Sequence, residues 1–384
     1  MTSLPQPDAQ ALAHSRQLAE LIHAEIEAAD GSMPFARYME LALYAPGLGY
    51  YSGGAQKFGT TGDFVTAPEI SPLFAQTLAR QAALVLQATL GAILELGAGT
   101  GKLAAELLLE LERLDVLPQR YLIMEVSAQL RARQQATLQQ ALPPALLQRV
   151  TWLDSLPDTF EGLVLANEVL DALPVHMVKS TEQGLSERRV AWRDGAFAWT
   201  ESSMVDGPLT ALAQRCALPV EYVTEICPLA QALIASLAAM LTRGALLFID
   251  YGFPRHEYYH AQRRQGTLMC HYRQHAHDDP FLYPGLQDIT AHVDFTAAAE
   301  AGVAAGLQLL GYCGQAQFLI NCGITELLSR IPPQNVAAYV PLAAQAQKLL
   351  SPAEMGELFK VLALGRGLPD TLVGFARGDR RHTL

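Results

Sequence analysis

The sequence predicts an α/β fold with a parallel sheet at its centre. Between residues 92 and 167, short apolar runs alternate with segments of helical periodicity, a pattern typical of strand–helix–strand units. The first apolar run, Ala92 to Leu96, leads into a loop with glycine at every second position, and a helix is predicted after it. Half of the 384 residues are hydrophobic, so the chain can bury a large core.

The other elements are predicted from periodicity and turn signals in chain order. Residues 8–30 and 34–44 have the apolar spacing of helices. A helix over 66–87 opens with Thr66-Ala67-Pro68-Glu69, which matches a capping box. The later predicted elements are strand 92–97, helix 102–113, strand 120–125, helix 127–141, strands 148–153 and 162–167, antiparallel strands within 175–202, helix 228–242, strand 245–250, a long loop over 251–288, helix 296–305, strand 307–313, helices to about 349 and strand 359–364.

This element order predicts the domain organisation. Residues 1–90 are expected to form an N-terminal helical region with a lid loop. Residues 91–384 are expected to form one domain, with insertions at about 175–225 and 252–295 that make a β and loop region for substrate. The lid is assigned to Tyr50–Thr66, a segment rich in glycine and aromatic residues that would cover a bound ligand and exclude water.

Charge, hydropathy and cysteine content exclude several classes of function. The net charge of −11 argues against broad binding to nucleic acid, which needs a basic surface. No run reaches the roughly 20 apolar residues of a membrane span. The five cysteines form no C-x-x-C pair, which favours reduced thiols. The first ten residues have neither a basic region nor an apolar core, so no targeting peptide is predicted and a cytoplasmic protein is expected.

The glycine loop predicts a site for a small cationic nucleoside ligand. Glycine at 97, 99 and 101 allows positive φ and a close ligand approach, and the helix that follows presents free N–H groups. A dinucleotide fingerprint is G-x-G-x-x-G, but here the third glycine comes one residue early and Lys102 stands where the last glycine belongs. Glu95 would repel a pyrophosphate and attract an ammonium or a sulfonium. The E-x-G-x-G-x-G run resembles the first motif of class I S-adenosylmethionine (SAM) methyltransferases.

Acidic residues follow the other predicted strands, at the sheet edge where ligands bind in doubly wound folds. Glu125 comes about 25 residues after the glycine loop, in the position of an acid that binds ribose hydroxyls. Asp154 ends the next strand and is expected either to contact an adenine edge or to serve as a cap. The expected cofactor-binding residues of this region are Glu95, Gly97, Ala98, Gly99, Gly101, Glu125 and Asp154.

The end of the fourth strand carries the candidate catalytic residues Asn167, Glu168 and Asp171. Methyl transfer from a sulfonium needs an in-line nucleophile and a route for its proton. A pair of carboxylates can orient a guanidinium by bidentate hydrogen bonds and ease removal of its proton. The alternative for Asp171 is that it begins a helix before Pro174. The loop from Tyr258 to Tyr272 is expected to wall a channel for a cationic side chain of a peptide.

A second motif points to zinc but is set aside. His256 to His260 match H-E-x-x-H, the helical pattern of zinc metalloproteases. Pro254 upstream and Gly266 downstream argue against a long helix, and no H-x-x-G-x-x-H extension follows. No metal site is therefore expected.

Over roughly residues 33–364, the chain resembles the MidA family of SAM-dependent methyltransferases, which includes a mitochondrial complex I assembly factor that methylates arginine. The specific runs are GDFVTAPEIS at 62–71 and ANEVLDALP at 166–174, with further matches at 49–51, 95–101, 249–252, 264–268 and 288–295. The resemblance implies a class I methyltransferase sheet, SAM as cofactor, and a cofactor-binding role for Pro68 and Glu69. It also implies a protein substrate, with arginine as acceptor and a respiratory-complex subunit as partner.

Two other functions stay open at this point. The first is a non-catalytic SAM-binding assembly factor or protein-interaction module. The second is a nicotinamide dehydrogenase, which the glycine spacing disfavours. The oligomeric state is also open, with a homodimer as one alternative.

Overall fold

The structure is a computed structural model that describes residues 4–53, 65–370 and 372–384. The chain divides into two compact units, each built from three segments. The first unit comprises Met1–Phe64, Asp171–Gln231 and Arg255–His292, and the second comprises Val65–Leu170, Ala232–Pro254 and Val293–Leu384. The domain division expected at residue 90 stays a prediction.

The helices and strands are as follows, in chain order. The helices are α1 (Ala9–Ala28), α2 (Phe35–Tyr44), α3 (Ala67–Ile70), α4 (Pro72–Thr89), α5 (Lys102–Arg113), α6 (Ala128–Ala141), α7 (Pro144–Leu147), α8 (Pro208–Arg215), α9 (Pro228–Met240), α10 (Arg255–Tyr258), α11 (Phe295–Ala304), α12 (Gln315–Asn321), α13 (Ile324–Leu328) and α14 (Val336–Leu350). The strands are β1 (Ser32–Pro34), β2 (Ala92–Leu96), β3 (Tyr121–Met124), β4 (Val150–Leu153), β5 (Phe160–Asn167), β6 (His176–Thr181), β7 (Gly184–Arg193), β8 (Ala196–Ser203), β9 (Tyr222–Ile226), β10 (Leu241–Phe253), β11 (Met269–Tyr272), β12 (His275–His277), β13 (Asp288–Thr290), β14 (Val293–Asp294), β15 (Gln308–Gly314) and β16 (Phe359–Arg366). Across the described ranges, no helix has the length and apolar character needed to cross a membrane.

The second unit is built on a mostly parallel sheet, which confirms the predicted α/β fold. Its strand order is β15-β16-β10-β5-β2-β3-β4, with β14 paired to β10. Strands β10, β5, β2, β3 and β4 run parallel to one another, and β16 and β15 pair antiparallel at one side. One row of paired residues crosses the carboxyl end of the parallel part: Leu153, Met124, Leu96, Ala166 and Phe248. The loops after these strands therefore leave the sheet at one common edge.

The core of this unit is apolar on both sides of the sheet because its strands are parallel and covered by helices. On one face, Leu78 of α4 and Leu107 of α5 belong to one buried cluster with Ile93 and Leu163. On the other face, the alternate strand residues Leu94, Val164 and Leu246 are also buried. Full burial of each such side chain stabilises the fold by about 1.5–3 kcal/mol. This packing fixes the strands, and hence the loops at their carboxyl ends.

The predicted helix over 66–87 is two helices, and its predicted capping box is wrong. The side chain of Thr66 makes no capping hydrogen bond. The break falls at Ser71, which is extended with φ −154° and ψ 138° and accepts a hydrogen bond from Leu73 N to cap α4. Proline disfavours a helical conformation in the residue before it, so Pro72 enforces this break.

The first unit contains the predicted antiparallel insertion. Its five-stranded sheet has the order β1-β7-β6-β9, with β8 paired to β7. The β7–β8 hairpin turns at Asp194 and Gly195, which have φ of 51° and 81°, as a type I′ turn requires. Asp-Gly is one of the sequences that this turn type prefers.

The predicted loop over 251–288 is wrong in part, because much of it is regular. It contains the end of β10, the helix α10 and the sheet β12-β11-β13. The β11–β12 hairpin turns at Arg273 and Gln274, whose φ values are 47° and 66°. Neither residue is a usual turn former, so the local sequence does not predict this hairpin. Strand β9 and helix α8 were also absent from the prediction.

Candidate functional site

The glycine loop joins β2 to α5 at the common edge of the sheet in the second unit. Gly97, Gly99 and Gly101 have φ of 62°, 52° and 84°, a region that glycine enters without steric penalty. A Cβ at Gly97 would lie 3.2 Å from Val169 Cγ2, and one at Gly101 would lie 3.1 Å from Gln134 Cα. A Cβ at Gly99 would meet no described atom within 4 Å beyond its chain neighbours. The backbone at Gly99 thus borders open space that a ligand can enter.

The side chain of Glu69 lies against this loop. Its carboxylate accepts a hydrogen bond from Thr100 Oγ1 at 2.5 Å and lies 3.9 Å from Lys102 Nζ. Lys102 Nζ also donates to the backbone oxygen of Glu69 at 3.2 Å. Pro68 is buried in the same short helix. The structure therefore brings Glu69 to the glycine loop, and the cofactor contacts of both residues stay predictions.

Glu95, at the end of β2, is buried with 2% of its surface exposed. Tyr121 Oη on the neighbouring strand donates to its carboxylate at 2.8 Å. Burial raises the pKa of Glu95 from 4.5 to about 7, although the hydrogen bond from Tyr121 acts in the opposite direction. Near neutral pH the group is therefore divided between its charged and neutral forms.

Glu125, directly after β3, is held at both carboxylate oxygens. Oε1 accepts from Ser127 N at 2.9 Å, and Oε2 accepts from Gln134 Nε2 at 2.8 Å. The same amide nitrogen donates to Gly99 O at 3.1 Å, and the amide oxygen accepts from Trp152 Nε1 at 2.9 Å. Gln134 therefore connects the glycine loop with the ends of β3 and β4.

Asp154 follows β4 on the same edge but points into solvent. Its side chain is 87% exposed and forms an ion pair with Arg131, at 2.6 Å. In such an exposed pair, screening by water leaves a small net interaction. The predicted adenine contact of Asp154 is untested.

Glu168 occupies a strained turn after β5. Its φ is 54°, which is uncommon for a residue with a side chain and costs about 1–2 kcal/mol. Its N–H donates to Ile249 O at 2.8 Å, and the next two N–H groups, of Val169 and Leu170, donate to one oxygen of Asp250 at 3.2 and 2.9 Å. These bonds to β10 hold the turn in place.

The neighbouring Asn167 donates from Nδ2 to the Glu168 carboxylate at 3.1 Å. Its other side-chain atom, Oδ1, is buried and has no hydrogen-bond partner among the described residues. A buried acceptor without a partner is costly, and this one sits at the edge where ligands bind in such sheets. Asn167 Oδ1 is therefore a candidate acceptor for a hydrogen bond, and its contact with a ligand stays a prediction.

Asp171 belongs to the first unit, where 5% of its surface is exposed. No helix begins at this residue, so the alternative of a helix start before Pro174 is wrong. Its backbone oxygen accepts from Ala291 N at 3.0 Å. Burial raises the pKa of Tyr51, and the nearby carboxylates of Asp288 and Asp171 raise it further.

The segment from Tyr258 to Tyr272 is anchored within the first unit by Glu225. The Glu225 carboxylate accepts from Tyr258 Oη at 3.2 Å, from Thr267 N at 2.9 Å and from Leu268 N at 3.0 Å. A Cβ at Gly266 would lie 2.1 Å from Glu225 Oε1. The segment is thus shaped by a buried carboxylate, and its role as a channel wall stays a prediction.

The H-E-x-x-H run does not form the helix of a zinc protease. Helix α10 ends at Tyr258, two residues before His260. The side chains of His256 and Glu257 are 63% and 54% exposed. Within the described ranges, no three His, Cys, Asp or Glu side chains gather as a metal site would require.

Most of the predicted lid lies outside the described residues, namely 54–64. Its described beginning is packed: Tyr50 is 1% exposed, and Tyr51 Oη donates to Asp288 at 3.0 Å. The closing of residues 54–64 over a ligand stays a prediction.

Sequence reasoning missed two residues of this region, Gln134 and the structural role of Asp250. Gln134 shares the buried face of α6 with Leu130 and Leu138, so a polar residue at an apolar position was the signal available. The role of Asp250 has no local signal, because its hydrogen-bond partners lie about 80 residues earlier in the chain.

Comparisons with known proteins agree on one family. Residues 77–313 match a family model of S-adenosyl-L-methionine-dependent methyltransferases. The chain is similar to the mouse "Protein arginine methyltransferase NDUFAF7, mitochondrial", with 31% identity over 87% of this chain and 81% of that protein. The human protein of the same name is 30% identical over 87% of this chain and 80% of its own length.

A solved structure is more similar still. A COG1565 superfamily member from Burkholderia thailandensis, crystallised with S-adenosyl-homocysteine, is 55% identical with a TM-score of 0.96 over the whole of both chains. A second crystal structure of a COG1565 superfamily protein from that organism is 54% identical with a TM-score of 0.94. The class I methyltransferase fold expected from the sequence is confirmed by this likeness.

Proposed function

Because the chain belongs to the MidA-like family of SAM-dependent methyltransferases, we propose that it methylates an arginine side chain of a protein partner. The observation that carries the choice of arginine is the relative at 31% identity, whose name states protein arginine methylation. The net charge of −11 supports a cationic acceptor. A respiratory-complex subunit, implied by the MidA resemblance, is the proposed partner.

The residues of the second unit fit the cofactor. No described atom beyond the chain neighbours would lie within 4 Å of a Cβ at Gly99, which supports a ligand contact with the main chain there. Glu125, fixed at both oxygens, would accept hydrogen bonds from two ribose hydroxyls. Glu95 would attract the cationic end of the ligand in its ionised form. We include Gly97, Ala98, Gly101, Pro68, Glu69 and Asp154 in the same binding set.

Glu168 and Asn167 are the proposed acceptor residues. SAM supplies an electrophilic methyl group on its sulfonium. The Glu168 carboxylate would accept an N–H of the guanidinium and so orient its nitrogen. Asn167 Oδ1, buried without a partner in the described residues, would accept another N–H. Asp171, three residues further along the chain, keeps its predicted role as a second carboxylate.

The test is a transfer assay with an unbiased substrate source. Purified protein and labelled SAM are added to lysate from a strain that lacks the protein, and labelled proteins are hydrolysed to amino acids. Label in methylarginine is the expected result. Label in another amino acid or in a small molecule would refute arginine as the acceptor.

A matched pair of variants separates an enzyme from a binding protein. Glu168→Gln should abolish labelling, because it removes the charge and keeps the shape. Glu161→Gln is the control, since Glu161 is exposed at the opposite end of β5. Absence of labelling in the wild type, with SAM binding intact, would favour the non-catalytic assembly factor.

The compartment and assembly state complete the proposal. All five cysteines are free thiols, which supports a reducing compartment such as the cytoplasm. A homodimer is the assembly to be tested by sedimentation.

A further inference from the structure

On helix α6, the buried residue Gln134 has a polar amide at a position that usually holds an apolar side chain. Its buried residues are Leu130, Gln134 and Leu138, which are spaced four apart on one helical face. Gln134 has 0% of its surface exposed, whereas the adjacent Gln135 is exposed. Burying an amide is unfavourable unless hydrogen bonds replace those to water. The hydrogen bonds of the Gln134 side chain must therefore offset the cost of burying its amide.

The contacts of Gln134 define its orientation. Trp152 Nε1 can only donate, and it lies 2.9 Å from the amide oxygen. The Glu125 carboxylate accepts from the amide nitrogen at 2.8 Å, as does Gly99 O at 3.1 Å. Exchanging the amide oxygen and nitrogen would set donor against donor and acceptor against acceptor. The Gln134 side chain thus forms hydrogen bonds with residues at the carboxyl ends of three neighbouring strands.

We propose that Gln134 is a positioning residue for cofactor recognition, which sets the Glu125 carboxylate for the ribose of SAM. The inference rests on the proposed function of Glu125 as the ribose-binding acid. Ser127 N holds one oxygen of Glu125 and Gln134 holds the other. A carboxylate held in this way keeps one rotamer, so two ribose hydroxyls meet acceptors already in place.

The test compares two ligands that differ only at the ribose: S-adenosyl-homocysteine and its 2′,3′-dideoxy analogue. The variant Gln134→Met keeps length and volume but removes the hydrogen bonds. We expect it to weaken S-adenosyl-homocysteine binding roughly tenfold or more, with a change of less than about threefold for the analogue. Gln135→Met, the same change at an exposed neighbour, should leave both affinities as in the wild type. Calorimetric titration gives both dissociation constants.

A second variant and a double mutant distinguish a loss of ribose recognition from a folding defect in Gln134→Met. Trp152→Phe removes one donor to the Gln134 amide, and it should shift the preference between the two ligands in the same direction by a smaller factor. Glu125→Ala combined with Gln134→Met should bind S-adenosyl-homocysteine no more weakly than Glu125→Ala alone, because the two changes remove one interaction.

The outcomes distinguish this inference from the proposed function. If Gln134→Met weakens both ligands equally, Gln134 supports the fold alone and the inference is overturned. If Glu125→Ala abolishes the preference for the ribose diol and Gln134→Met retains it, only the positioning role fails. If Glu125→Ala retains the preference, the ribose-binding role of Glu125 fails, and the inference with it.

Discussion

Raising the pH is expected to destabilise the fold through one buried carboxyl group, that of Glu95. Its pKa is about 7 in the folded chain, against 4.5 for an accessible glutamate. The folded state therefore keeps a proton that the unfolded state has lost between these two values. The stabilising contribution is fully present below pH 4.5 and is lost as the pH rises through 7.

The loss of unfolding free energy can be calculated from the pKa shift of Glu95. Each pKa unit corresponds to about 1.36 kcal/mol, so full ionisation of Glu95 costs about 3 kcal/mol of unfolding free energy. The variant Glu95→Gln keeps an acceptor for Tyr121 and has no charge to bury. Its advantage over the wild type should grow by about 3 kcal/mol between pH 4.5 and pH 8.

Urea unfolding at several pH values measures this difference. Glu112→Gln is the control, because Glu112 is exposed on α5, and its stability curve should parallel that of the wild type. Parallel curves for Glu95→Gln and the wild type would refute the argument that burial governs this group. The measurement does not depend on knowing the methyl acceptor.

The raised pKa of Glu95 also leads to a prediction about ligand binding. The proposed contact between the sulfonium of SAM and Glu95 would favour the ionised carboxylate, so SAM binding should release protons near neutral pH. Calorimetry in two buffers of different ionisation enthalpy counts these protons. Release by the wild type and none by Glu95→Gln is expected, and equal release by both would place the cation away from Glu95.

The remaining predictions concern the glycine loop and the acceptor turn. Gly99→Val should abolish SAM binding, because its φ is positive and its side chain would enter the ligand space; calorimetry that shows binding would refute it. Glu125→Ala should weaken SAM binding by roughly 1.5–3 kcal/mol through loss of a charged acceptor, and unchanged affinity would exclude a ribose contact. Asp250→Asn should lower the unfolding free energy by about 1–3 kcal/mol, since Asp250 also accepts from Tyr251 N at its other oxygen, at 3.0 Å, and an amide accepts only at one of its two side-chain atoms. The same variant should lower the rate of methyl transfer by a larger factor than the affinity for SAM. A larger loss of SAM affinity than of transfer would count against the turn as the acceptor site. Glu168→Gln should keep SAM affinity and lose transfer, and retained transfer would return Glu168 to a structural role.

The carboxyl edge of the sheet could be predicted because its signals are local. Glycine spacing, an apolar strand and a helix beginning at Lys102 all lie within about a dozen residues. The row from Leu153 to Ala166 then follows from parallel pairing. Sequence could not assign Gln134 to this edge, since its partners lie on three separate elements.

Errors arose where nonlocal contacts outweigh local propensity. The capping box failed because the Glu69 carboxylate bonds Thr100, some 31 residues away, and not the backbone of Thr66. The β11–β12 hairpin was missed because Arg273 and Gln274 adopt positive φ without being turn formers. The Glu69 side chain thus takes a conformation that a neighbour in space selects, whereas the hairpin turn has no local sequence signal.

The turn at Glu168 shows how the fold holds a carboxylate side chain at the edge of the sheet. The positive φ of Glu168 costs about 1–2 kcal/mol, so an unrestrained turn would relax. Asp250, 1% exposed, opposes that relaxation by accepting from Val169 N and Leu170 N, and a hydrogen bond contributes about 0.5–1.5 kcal/mol. The two bonds together are therefore of the same order as the strain. Because these bonds come from β10, which is paired to β5 along its length, the geometry of Glu168 is a property of the sheet itself.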